Sequence, residues 1–95
     1  MNLNINYGET RRVGNNLIAK AEEYSNLINN IKNTNSEIAS YWTGADATKY
    51  FQAVSEQEVY MHQLASVISE IGNYLIKVSN AYEDASANNA NAINL

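Results

Sequence analysis

The side chains able to do chemistry are few here and poorly spaced for it. His62 is the only histidine among 95 residues, and there is no cysteine, which excludes a His-rich metal site and thiolate chemistry. A site of carboxylates alone needs a cluster of oxygen ligands, and the acids form none along the sequence. Glu22-Glu23 and Glu83-Asp84 are adjacent pairs, and neighbours on a helix point about 100° apart. They do not frame one substrate as paired acid/base carboxylates must, and Glu56 with Glu58 fails similarly. The four glycines are isolated, so there is no phosphate-cradling loop. No serine sits in a nucleophile elbow. Of the seven tyrosines, Tyr24, Tyr60, Tyr74 and Tyr82 fall on apolar stripes, where packing with a polar tip accounts for them. The formal charge is −4 and the six basic side chains are scattered, which argues against nucleic acid. The chain reads as a non-enzymatic protein with no cofactor and no metal.

What remains to be positioned is Tyr41-Trp42-Thr43-Gly44-Ala45-Asp46, near the midpoint, which holds the only tryptophan. Thr43 and Asp46 have the spacing of a helix N-terminus, where a hydroxyl accepts a first-turn amide and an acid favours the positive dipole end. Gly44 permits backbone angles and close approaches that a Cβ resists. The stretch predicts the bend of an antiparallel helical hairpin, all-α, with helices near 7–40 and 45–84 and the turn at Trp42 to Gly44. Asn6 and Glu9 have capping-box spacing at the start of the first helix. Its inward columns are Leu17, Tyr24, Ile31, Ile38 and Ala21, Ile28, Asn35, repeating every seven residues. Asn35 either sets the register of that seam or touches solvent near the bend.

The second helix carries three apolar columns rather than two. They are Val54, Met61, Ile68, Leu75, Tyr82; then Gln57, Leu64, Ile71, Val78; then Ala53, Tyr60, Val67, Tyr74, Ala81. The first helix can cover only part of that arc, so the remainder is expected to be an interface. Two helices also bury little apolar surface for a lone domain of this size. A dimeric four-helix bundle is therefore predicted, with Tyr60, Val67 and Tyr74 at the interface. A fourth column, Ala65, Gly72 and Ser79, is small; it reads equally as a thin surface strip or as a line of close helix approach.

Residues 1–85 are taken as the hairpin domain and 86–95, rich in Asn and Ala, as a flexible tail. Leu3 and Ile5 are placed to dock on the bundle from a loose N-terminal arm. Met1 to Gly8 lacks an apolar signal-peptide core, and no hydrophobic run follows Arg11-Arg12. No stretch approaches the ~20 apolar residues of a membrane span.

Length, paired periodicities and a central Trp42-x-Gly44 together resemble the WXG (Esx-like) family of small type VII secretion substrates, over roughly Glu9 to Asp84. The resemblance implies a protein secreted as a folded dimer without a cleaved signal peptide and cytoplasmic before export. It would be a virulence-associated or co-secreted effector, paired with itself or with a second WXG-like protein. It further implies that Trp42, Thr43 and Gly44 form one export-signal element, which lies near the end of the partner's long helix. By the same resemblance, a membrane-associated type VII secretion ATPase would read the two together. The family's second element is a Tyr followed four residues later by an acid. Here the best-placed tyrosine is Tyr82, and position 86 is Ser. Either a partner brings the tail signal, or the acid is dispensable in this lineage. The alternative function is a helical partner or targeting chaperone for a larger type VII effector or toxin.

Overall fold

Asn6 starts the first helix. Its Oδ1 accepts the Glu9 amide at 3.0 Å and its carbonyl accepts the Thr10 amide at 2.9 Å, satisfying first-turn donors that a helix otherwise leaves unpaired. The computed structural model of the chain describes residues 5–93, with side chains as far as Asn88. They form two helices, α1 (Tyr7–Ala39) and α2 (Ala45–Ile93), and no strand occurs among the described residues. The all-α hairpin is as the periodicities predict. Leu3, the other arm residue expected to dock, lies outside the described residues.

One helix end falls within a residue of its expected place and the other does not. Helix α1 closes with bonds from Ser40 N–H to the Glu37 carbonyl and from Tyr41 N–H to that of Ile38, each 3.1 Å. These three-residue steps tighten its last turn and occupy carbonyls the helix leaves open. At the other boundary, α2 does not stop near Asp84 but continues to Ile93. Ala85, Ala87, Ala90 and Ala92 are the best helix formers available, and neither Gly nor Pro interrupts them. Extending an existing helix also needs no new nucleus.

The chain divides into two compact units. In residues 20–67, which contain the bend, the buried apolar side chains are Ala21, Ile28, Ala47 and Ala65. Tyr24, Ile31, Ile38, Phe51, Val54 and Met61 surround them, half-buried. The inward columns thus fall where their spacing places them, and Asn35 is half-buried with them.

The second unit joins the start of α1, up to Ala19, to α2 from Ile68 onward. Its centre is a backbone-to-backbone contact between Gly14 and Gly72, both buried. A Cβ on Gly14 would lie 2.7 Å from the Gly72 carbonyl oxygen, and one on Gly72 would lie 2.6 Å from that of Gly14. Only two glycines let the helices come this close. Ser79, one turn-pair further along the small column, is fully buried, and its hydroxyl donates to the Leu75 carbonyl at 2.7 Å. Of the two readings of Ala65, Gly72 and Ser79, close approach is correct: all three are buried.

Candidate functional site

The bend is built on Gly44, whose φ is +113°. No atom lies within 4 Å of where its Cβ would be, so the demand for glycine here comes from backbone angles and not from crowding. The Gly44 carbonyl accepts the Thr48 amide at 3.0 Å and the Thr48 hydroxyl at 3.1 Å. Gly44 is therefore the residue that opens α2. Thr43 stands one position before it, so the spacing that suggested a threonine cap is displaced by one residue.

Around this turn three aromatic rings meet. Trp42 and Tyr50 have ring centroids 5.2 Å apart, Trp42 and Phe51 5.8 Å, and Tyr50 and Phe51 5.3 Å. The last two pairs are edge-on, the arrangement favoured by ring quadrupoles. The Tyr50 hydroxyl donates to Asn35 Oδ1 at 2.8 Å, tying the first turns of α2 to α1. Trp42 still keeps 38% of its surface exposed, and its neighbour Tyr41 keeps 76%. One part of the indole packs on the hairpin and the rest is presented outward. Sequence reasoning found Trp42, Thr43 and Gly44 but missed Tyr50 and Phe51. They sit eight and nine residues past the tryptophan, a separation that no single helical period links to it.

Tyr82 lies in the other unit and is half-buried. With Ile5, Tyr7 and Ser86 it lines a small cavity of about 70 Å³. Beside it, Arg11 donates from Nε and Nη2 to Asn80 Oδ1 at 3.2 and 3.0 Å and makes an ion pair with Glu83. Nothing in the sequence signals this contact, because scattered basic residues read only as a solvated surface. Ser86 is exposed, at the rim of this cavity.

The third column of α2, together with Leu64 and Ile71 of its second, is open to solvent. In residues 20–67, Tyr60, Leu64 and Val67 are exposed, and in the other unit Ile71 and Tyr74 are. Near the bend, Ile31, Ala53, Val54 and Met61 line an apolar groove of about 320 Å³ together with Asn35, Tyr50, Gln57 and Glu58. His62 is exposed. No three His, Asp or Glu side chains converge among the described residues.

Set against known proteins, residues 2–87 match the family model described as "WXG100: Proteins of 100 residues with WXG". No curated protein and no solved structure matches the chain.

Proposed function

Since the chain belongs to the WXG100 family, which implies a small helical protein secreted by a type VII system, we propose that it is exported folded, as a homodimeric four-helix bundle. In this reading Trp42, Thr43 and Gly44 form the first element of the export signal and the segment around Tyr82 forms the second. The type VII secretion ATPase reads both. Tyr60, Val67 and Tyr74 are the dimer contacts. The observation that carries the reading is the state of Trp42. Its ring is held by Tyr50 and Phe51 yet keeps 38% of its surface free, so one side chain fixes the turn and offers an edge to a receptor.

The test is export from cells with an intact type VII apparatus. Trp42→Ala and Tyr82→Ala are each expected to vanish from the medium while accumulating inside. If both are exported like the unmodified chain, the bend and the tail are structural only and the proposal fails. A second reading is favoured by Ser86, which leaves the tail element without its acid. There the chain is the helical partner or targeting chaperone of a larger effector, which supplies that element. Two outcomes mark it: Trp42→Ala alone blocks export, and the purified chain sizes as a molten or aggregating monomer rather than a stable dimer.

A further inference from the structure

The geometry points to Arg11 as a positioning residue that fixes the direction in which α2 presents Tyr82. This inference rests on the reading of the Tyr82 segment as a signal element.

Asn80 and Glu83 are one helical turn apart, and Tyr82 lies between them in sequence. The Arg11 guanidinium engages both, with Nε and Nη2 on Asn80 Oδ1 and Nη2 on the Glu83 carboxylate. A planar guanidinium donates in a fixed fork. Holding two acceptors on one turn of α2 therefore sets the rotation of the helix about its own axis, and not merely its distance from α1. Tyr82 follows, because each residue of a helix points about 100° from the next.

A second set of contacts points the same way. Ile5 and Tyr7 line the cavity of about 70 Å³ shared with Tyr82 and Ser86. Tyr7 and Arg11 are four residues apart and so rise from the same face of α1. That first turn is itself fixed by Asn6, which accepts the Glu9 amide at 3.0 Å. The start of α1 is thus a platform with an apolar part under Tyr82 and a charged fork on the residues flanking it. Exposed ion pairs contribute little to stability, and Arg11 and Glu83 are both about a third or more exposed. Direction, rather than stability, is what this pair supplies.

The experiment uses the full chain with Arg11→Glu, the swap Arg11→Glu with Glu83→Arg, and Tyr82→Ala alongside. Size, thermal melt, hydrogen exchange of the 80–88 amides and export are all measured. Arg11→Glu is expected to keep the size and melt of the unmodified chain. Its 80–88 amides should exchange roughly three- to tenfold faster, as expected for loss of a charge-assisted hold on one local segment, and it should stay in the cells. The swap should restore slow exchange and export. If Arg11→Glu does not fold, Arg11→Gln is read in its place with the same expectations.

Normal export of the single variant with unchanged exchange overturns the inference, provided Tyr82→Ala is retained. A swap that folds but stays in the cells also overturns it, since Arg11 would then be a direct contact of the receptor. Normal export of Tyr82→Ala removes the signal reading itself, and the positioning role falls with it.

Discussion

At the scale of single residues, the bend divides its work between Gly44 and Trp42. Gly44→Val should destabilise the hairpin by about 1–3 kcal/mol, the usual cost of holding a non-glycine residue in a sparsely populated backbone region. There is open space for the side chain, so Gly44→Ala should lower the melting temperature nearly as far. A crowded site would instead penalise the larger residue alone. Trp42→Ala removes a ring that meets Tyr50 and Phe51 but is only part-buried. Its cost should fall to about 2–3 kcal/mol, below the ~3–5 of a fully buried truncation. Thermal melts of the three variants check both statements; a Gly44→Val melt equal to that of the unmodified chain would disprove the angular requirement. Trp42 and Gly44 were legible from sequence because a break in two long periodicities must be a turn. The rings that complete the site were not, since which residues of α2 fold back onto Trp42 depends on the turn angle that Gly44 sets.

At the scale of elements, what brings α1 and α2 together is absence of side chains as much as their presence. In a lone helix Gly→Ala is favourable by about 1 kcal/mol. At Gly14 and Gly72 the sign should reverse, because a new Cβ would sit 2.7 or 2.6 Å from the opposite backbone oxygen. Neither backbone can yield without moving its helix. Each single Ala variant is expected to cost about 1–3 kcal/mol, as overpacked sites do. The double variant should cost less than the two singles added, since the first Cβ already opens the gap the second needs. Denaturant titration of the four proteins measures this. Strict additivity would mean that the glycines do not face each other. Gly72 stood out in sequence through its heptad neighbours Ala65 and Ser79, whereas its mate Gly14 did not, although it lies seven residues before Ala21 in the matching column. The end of α2 is not legible in the same way, since the asparagines there are weak helix formers while the alanines between them carry the helix on to Ile93.

At the scale of the whole molecule, the buried apolar side chains among the described residues are three alanines and Ile28. Folded domains this small bury a modest share of their surface, and here much of what is left outside is large and apolar. Tyr60 is 63% exposed, Val67 47% and Tyr74 66%. Their heptad spacing on α2 made the column legible from sequence. Its exposure followed from a count, since one helix cannot cover an arc of three columns. Covering each of these side chains in a dimer is worth about 1.5–3 kcal/mol before ordering losses. Tyr60→Lys combined with Val67→Lys should therefore yield a monomer on sizing at concentrations where the unmodified chain is a dimer. Two lysines one heptad apart at the centre of a contact would be buried without partners, a cost that surface burial elsewhere does not offset. The same pair of charges on a free face would only add to solubility, so the monomer should keep its helix content by circular dichroism. If the double variant still sizes as a dimer, the copies meet on another surface. The next to test is then α1, where Val13 and Leu27 are the exposed apolar side chains, spaced by two heptads along one face.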